Sequence, residues 1–146
     1  MFKNILLATD GSAASEHAAA LAVKLARSVQ ATLTAVYVVD PYPYLGMGDT
    51  NPMGMQAYLS AARDHAAAAH AKVAALCAGP GPSLHLEVRL VENATAFEGI
   101  TRTAQQEGCD LIVAGSHGRT GLDHLMLGSI AAKLAARSPV PVLVAR

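Results

Sequence analysis

A chain of 146 residues has room for one domain, spanning residues 1–146, with a sizeable hydrophobic core. Its composition is 52% apolar and only 15% charged, which favours a globular protein that buries both faces of a sheet. Eleven basic and eleven acidic residues give a formal net charge of zero, and this balance argues against nucleic acid or an anionic membrane as a partner.

The sequence carries no signal that would place the protein in or across a membrane. Apolar runs stay well short of the ~20 residues that a membrane-spanning helix needs. A strand pattern begins directly after Met1-Phe2-Lys3, where a signal peptide would show a longer apolar segment. Cys77 and Cys109 form neither a CxxC pair nor a zinc-binding spacing, which is typical of reduced, buried thiols. We therefore expect a cytoplasmic protein.

The first part of the chain has the pattern of a β-α-β unit. Residues 4–9 form a short apolar run ended by Asp10-Gly11, as expected of a buried strand. Apolar residues at helical spacing over 14–29 predict a helix, with Ser12 as its N-cap. Residues 31–39, rich in Val and Thr, predict a second strand, which runs parallel to the first because a helix connects the two.

A change of composition follows this unit. Residues 40–56 are rich in Pro, Gly and Met and predict a long loop without helix or strand. The loop over 41–55 either covers a pocket or makes no ligand contact, and the sequence leaves both open. An Ala-rich stretch over 58–78 predicts a helix. Alternating apolar and polar residues over 84–91 predict a half-exposed edge strand.

The remaining elements continue the alternation of strand and helix. We predict a helix over 96–107, a strand over 111–114, a helix over 129–136 and a last strand that begins at Val140 and ends at Ala145. Five strands and four helices in strict alternation are typical of an α/β fold of three layers around an open, five-stranded parallel sheet.

The most informative stretch lies between the fourth strand and the last helix. Its glycines have the spacing Gly115-x2-Gly118-x9-Gly128-Ser129. No Lys follows these glycines as in a Walker loop, and the spacing is not GxGxxG. Glycines allow close approach of the backbone to a ligand, and the free N–H groups at a helix N-terminus favour an anion. The stretch therefore predicts a phosphate site.

This spacing resembles that of the universal stress protein family, in its nucleotide-binding branch, whose loop has the pattern G-x2-G-x9-G-[ST]. The first strand with its Asp10 resembles the first-strand motif of the family, and residues 37–40 resemble the end of its second strand. The resemblance covers essentially the whole chain. It implies the sheet order 3-2-1-4-5, an adenine nucleotide alpha hydrolase-like fold, and a stress-response protein that binds ATP, or ADP or AMP, together with Mg²⁺.

The resemblance also implies the residues of the nucleotide site. They are Ala8, Thr9, Asp10, Val38, Gly115, Ser116, His117, Gly118, Arg119, Gly128, Ser129 and Ile130. In the family, the residue at the position of Val38 offers its backbone to the adenine edge, and the acidic residue at Asp10 lies by the ribose, the phosphates or their metal. Without a P-loop lysine, the phosphates need another cation, either Arg119 or a magnesium ion on Asp10.

Several of these residues have a simpler interpretation. Asp10 is also a common turn residue before Gly, and Ser129 would cap the last helix whether or not it touches phosphate. Arg119 is equally compatible with a solvated loop side chain. His117 and His124 lack partners at a metal-ligand spacing, so we do not assign them to a metal or to a general base.

The expected function is an ATP-binding homodimer, with the last strand as the pairing edge and no nucleic-acid or membrane partner. One alternative is a slow ATPase or an autophosphorylating enzyme, for which Asp10, His117 and Arg119 are the candidate groups. Since none of them is a dedicated base, we expect little or no turnover. A second alternative is a nucleotide-free dimeric interaction module. A receiver domain is disfavoured, because the chain lacks an acidic pair after the first strand and a Lys after the fifth.

Overall fold

The computed structural model describes residues 1–41, 52–117 and 126–146. Strands and helices alternate along the chain in the order β1 (Asn4–Ala8), α1 (Ala13–Val29), β2 (Thr32–Val39), α2 (Pro52–Ala78), β3 (Leu86–Glu92), α3 (Ala96–Gln106), β4 (Leu111–Gly115), α4 (Ser129–Arg137) and β5 (Val142–Ala145). None of the described helices is long and apolar enough to cross a membrane.

The five strands form one parallel sheet in the order β3-β2-β1-β4-β5. This confirms the fold class and the order implied by the family resemblance. β1 lies at the centre, and its Ile5, Leu6 and Leu7 have no exposed surface. The unbroken apolar run of the first strand follows from this position, because both faces of a central parallel strand are covered.

The hydrophobic core lies on both faces of the sheet. Ile5 and Leu7 point to the face covered by α1, where they pack with Ala22 and Val23. Leu6, one residue along the strand, points to the opposite face and packs in a cluster with residues of α3 and α4. Successive side chains of a strand alternate in this way, so a single apolar strand supports both outer layers.

The edge strands differ slightly from their predicted bounds. β3 is a half-exposed edge strand as predicted, with Val88 46% and Leu90 42% exposed, but it begins at Leu86. β5 begins at Val142 and not at Val140, so that prediction was wrong by two residues. The reason is a local turn, in which the Ser138 hydroxyl donates to the Val140 carbonyl (2.8 Å) and accepts from its N–H (3.2 Å).

The start of α2 was predicted wrongly. The Pro- and Gly-rich composition over 40–56 predicted a loop up to Gln56, whereas α2 already begins at Pro52. Proline is well suited to the first position of a helix, because its φ is fixed near the helical value and its missing N–H would have no partner there. The rest of the predicted loop, residues 42–51, lies outside the described residues.

The helix caps agree with the predictions at α1 and differ at α4. Ser12 caps α1 by accepting from the Ser15 N–H at 3.2 Å, as predicted. At α4 the N-cap is Gly128 and not Ser129, which is the first residue of the helix. Because Ser129 already has helical backbone geometry, its hydroxyl is not in the position from which an N-cap side chain bonds to the helix.

Candidate functional site

The sheet order creates a crevice beyond the carboxyl ends of β1 and β4. These two strands are neighbours, and the chain leaves β1 toward one side of the sheet and β4 toward the other, so the order reverses between them. A cleft of about 820 Å³ lies there, lined by the ends of β1, β2 and β4 and by parts of all four helices. Its size is in the usual range for a small-molecule site.

One wall of the cleft presents backbone hydrogen-bonding groups of β2. The last bond from β1 to β2 runs from the Thr9 N–H to the Val36 carbonyl, at 3.0 Å. In a parallel pair every second residue bonds to the same neighbour, so Val38 directs its N–H and carbonyl to the side of β1, past the end of that strand. Val38 lines the cleft. A main-chain donor and acceptor therefore lie side by side at the end of β2.

The loop after β1 forms the next part of the wall. An Asp10 carboxylate oxygen accepts from the Ser12 N–H at 2.9 Å, so this residue does shape the turn, and it also lines the cleft. The Thr9 hydroxyl lies 3.3 Å from the Ser15 hydroxyl in a buried contact. The turn thus fixes a carboxylate and two hydroxyl groups at the carboxyl end of β1.

The loop after β4 begins with a tight approach to α1. A Cβ at Gly115 would lie 2.9 Å from the Ala14 carbonyl carbon and oxygen, closer than side chains are found to approach. Ser116 is only 7% exposed and its hydroxyl lies 2.9 Å from Nδ1 of His117. His117 lines the cleft, whereas Ser116 is not one of its lining residues.

The start of α4 closes one end of the cleft. The Gly128 N–H donates to the Ser116 carbonyl at 2.6 Å, and a Cβ at Gly128 would lie 2.8 Å from Cα of His117. Glycine is therefore required for this close contact between the two ends of the loop. The N–H groups of Ser129 and Ile130 belong to the first turn of α4, where helix geometry provides no acceptor. They carry the positive end of the helix dipole into the cleft.

The structure brings most of the predicted site residues to one place. Those that line the cleft are Ala8, Thr9, Asp10, Val38, Gly115, His117, Gly128, Ser129 and Ile130. Gly118, Arg119 and the further histidine His124 lie outside the described residues.

Sequence reasoning missed the part of the cleft formed by α2 and α3. Tyr58 and His65 of α2 line it, and so do Thr95 and Ile100 around the start of α3. The Tyr58 hydroxyl donates to the Asp40 carbonyl at 2.8 Å; burial, and then the Asp40 charge, raise the pKa of this phenol. Thr95 was detectable, because Thr-x-x-Glu marks a helix start and the loop after β3 ends next to β2.

Acidic and neutral groups dominate the described lining of the cleft. It contains Asp10, Asp40, His65 and His117, and no Lys or Arg among the residues that the structure describes. Within those same ranges, no group of three or more His, Cys, Asp or Glu side chains is arranged to hold a metal ion. The described part of the lining therefore offers an anionic ligand backbone N–H groups but no side-chain cation.

Fold and cleft together define the class of the protein: a three-layer α/β protein with an open parallel sheet and its cleft at the point where the strand order reverses. The family model of the universal stress proteins matches the chain over residues 1–146, and the chain belongs to this family.

Relatives in several organisms support this membership. A universal stress protein of Thermus aquaticus is 37% identical over 147 residues, covering all of both chains. One of Methanocaldococcus jannaschii is 33% identical over 146 residues, covering all of this chain and 83% of the relative. Among solved structures, universal stress protein UspA from Lactobacillus plantarum superposes with a TM-score of 0.76 at 28% identity, over 99% of this chain and 97% of that one.

A further solved structure is a universal stress protein in complex with cAMP. It has the same fold, with a TM-score of 0.63 over 99% of this chain and 97% of that one, at 23% identity.

Proposed function

We propose that this protein binds an adenine nucleotide in the cleft, ATP with Mg²⁺ or its products ADP and AMP, and acts as a nucleotide-responsive homodimer in a stress response. The observation that carries the proposal is that one cleft is lined by the N–H and carbonyl of Val38, which bond to no described residue, and by the first turn of α4. The first suits a nucleobase and the second an anion.

The base would be recognised through the backbone of Val38. Adenine presents an amino donor beside a ring nitrogen acceptor, and guanine presents a carbonyl acceptor in place of that amino group. A strand carbonyl next to an N–H is complementary to the adenine pattern and repels the guanine carbonyl. Ala8, Ala114 and Ile100 supply apolar surface to the same cleft, as a flat ring requires.

The phosphates would lie at the start of α4. The N–H groups of Ser129 and Ile130, with the Ser129 hydroxyl, are the donors that we assign to them. Asp10 would hold the ribose or a magnesium ion that accompanies the nucleotide, since Mg²⁺ binds through one or two carboxylates and phosphate oxygens. Gly118 and Arg119 remain predictions for this end of the site.

Equilibrium dialysis with ATP and excess magnesium tests the proposal directly. We expect saturable binding below millimolar concentration, and mass spectrometry of freshly purified protein should detect a bound adenine nucleotide. Ser129→Ala removes one hydroxyl donor and should weaken ATP binding by about tenfold to a hundredfold, since a hydrogen bond to a charged group contributes ~1.5–3 kcal/mol. Ser28→Ala, on the exposed side of α1, is the matched control. Absence of binding up to millimolar ATP would reject the proposal.

The remaining parts of the proposal concern assembly and location. We propose that residues 1–146 act as one domain, that two copies pair through the edge strand β5, and that the protein is cytoplasmic. The free thiols support the last point: Cys109 is buried, and burial raises its pKa to about 11, which keeps it protonated and unreactive.

Two alternative functions are compatible with the same fold: nucleotide hydrolysis and a nucleotide-free interaction role. Asp10, His117 and Arg119 are the candidate groups for hydrolysis and none of them is a dedicated base, so we expect slow turnover or none. A phosphate-release assay that compares wild type with Asp10→Ala tests for hydrolysis. A pure interaction module would keep its function in Gly118→Val, whereas a nucleotide-dependent protein would lose it.

A further inference from the structure

Gly99 is the helix residue against which the Val38 side chain packs. A Cβ at position 99 would lie 2.7 Å from Cγ2 and 2.8 Å from Cγ1 of Val38. Side chains are not found at such distances, so α3 approaches β2 more closely here than any residue other than glycine allows.

Rotation of the valine would not relieve the contact. Valine carries two methyl groups in three staggered positions around χ1, and both positions that face Gly99 are filled. Every other rotamer still places one methyl group in one of these two positions. A side chain at 99 must therefore displace α3, the β2 backbone at Val38, or both.

The backbone of Gly99 gives no other reason for a glycine. It lies inside α3, its N–H donates to the Thr95 carbonyl at 2.9 Å, and its carbonyl accepts from the Thr103 hydroxyl at 2.7 Å. Glycine inside a helix is about 1 kcal/mol less favourable than alanine. Glycine at position 99 therefore destabilises the helix itself. What it provides in return is space for the Val38 side chain.

We propose that Gly99 is a positioning residue for base recognition: by admitting α3 against the Val38 side chain, it holds the Val38 N–H and carbonyl at the nucleobase edge and thereby sets the preference for adenine over guanine. This inference rests on the proposed nucleotide site and names the element that determines its base selectivity. The next residue, Ile100, is 5% exposed and lines the same cleft, so a shift of α3 would also move the apolar surface under the base.

The test compares ATP and GTP binding by isothermal titration calorimetry, with magnesium, for wild type and Gly99→Ala. We expect ATP affinity to fall by about tenfold, corresponding to ~1.4 kcal/mol, while GTP affinity changes little, so that the selectivity ratio falls. Gly79→Ala is the control, because its Cβ would also come close to a neighbouring atom, the Leu76 carbonyl oxygen at 3.3 Å, but just after the end of α2. It should leave the ratio unchanged.

A double variant separates positioning from simple loss of stability. Val38→Ala with Gly99→Ala removes both methyl groups that oppose the new Cβ and retains the main-chain groups of residue 38, so it should restore most of the selectivity. This holds even if Gly99→Ala alone does not fold.

Equal losses of ATP and GTP affinity in Gly99→Ala, no loss at all, or a double variant without restored selectivity would each overturn the inference. If wild type binds neither nucleotide, the proposed function fails, and the inference fails with it. If wild type binds ATP and only the Gly99 result is negative, the proposed function stands and the inference alone is rejected.

Discussion

At the scale of single residues, a half-buried histidine packs beside Tyr37, which lines the cleft. His70 of α2 makes an edge-on contact with Tyr37, with ring centroids 6.4 Å apart and planes at 78°. Its Nε2 is buried and has no hydrogen-bond partner among the described residues. Burial lowers the pKa of His70, and a hydrogen bond with the Ala35 backbone only partly opposes this. The folded state therefore favours the neutral ring.

This residue predicts a loss of stability in mild acid. Since the folded pKa lies below the unfolded value of about 6.5, the unfolded state binds more protons as the pH falls through that value. The free energy of unfolding should then decrease from pH 7.5 to pH 5.5, and His70→Gln should show a smaller decrease. Urea denaturation at both pH values measures it. His17→Gln, on the exposed face of α1, should keep the wild-type decrease; an equal effect in both variants would contradict the assignment.

At the scale of helices and strands, one side chain joins the ends of two helices. Arg27, in the last turn of α1, donates to the backbone carbonyls of Cys77 (2.7 Å), Gly79 (3.0 Å) and Pro80 (2.8 Å). Carbonyls at a helix end have no N–H donors within the helix. The Arg27 guanidinium supplies such donors at the end of α2, which ends at Ala78. The planar group with five donors suits this role better than an ammonium does.

Removing this contact should loosen the end of α2. We expect Arg27→Met, which keeps the apolar stem, to lower the free energy of unfolding by about 2 kcal/mol, the scale of hydrogen bonds to a charged group. Hydrogen exchange should rise in residues 74–78 before it rises elsewhere in α2. Lys24→Met, one turn earlier on the exposed face of α1, is the control. Unchanged exchange at the end of α2 would show that the bonds contribute little.

At the scale of the whole molecule, the free edge of the sheet determines how two copies could meet. Ile112 and Ser116 donate to the carbonyls of Pro141 and Ala145, so the odd-numbered residues of β5 face β4. The N–H groups of Val142 and Val144 consequently point away from the sheet. Val142, Leu143 and Val144 are only half-buried, which leaves apolar surface beside these donors. An edge of this kind favours strand pairing with a second copy.

The proposed dimer can be tested by moving a proline along β5. Val144→Pro removes an outward N–H and leaves the bonds to β4 in place, so we expect a folded monomer. Leu143→Pro removes an inward N–H and leaves its acceptor on β4 unpaired, so it should lower the free energy of unfolding by about 1–3 kcal/mol. Light scattering after size exclusion gives the mass, and thermal unfolding reports the fold. A Val144→Pro protein that remains a dimer would exclude main-chain pairing along β5.

The sequence by itself determined the features that depend on neighbouring residues. Apolar run lengths, helical periodicity and helix propensity predicted all five strands and four helices, and they predicted β1 as a buried strand, whose Ile5, Leu6 and Leu7 have no exposed surface. The spacing of Gly115, Gly118 and Gly128 indicated the loop before α4. Composition failed at the start of α2, where the helix-compatible proline at 52 was counted as a helix breaker.

Only the tertiary structure decided how distant segments meet. The main-chain groups of Val38 have no partner among the described residues because β2 continues for three residues, 37–39, past the pairing of Ala8 with Val36, and this depends on the register between the two strands. Two contacts join residues that lie 50 or more positions apart in the sequence and on different elements. One is the close contact of Gly99 with Val38, and the other is the bond of Arg27 to Cys77 at the end of α2. Local pattern cannot predict such contacts, because they depend on the order of the strands and on the packing of each helix against the sheet.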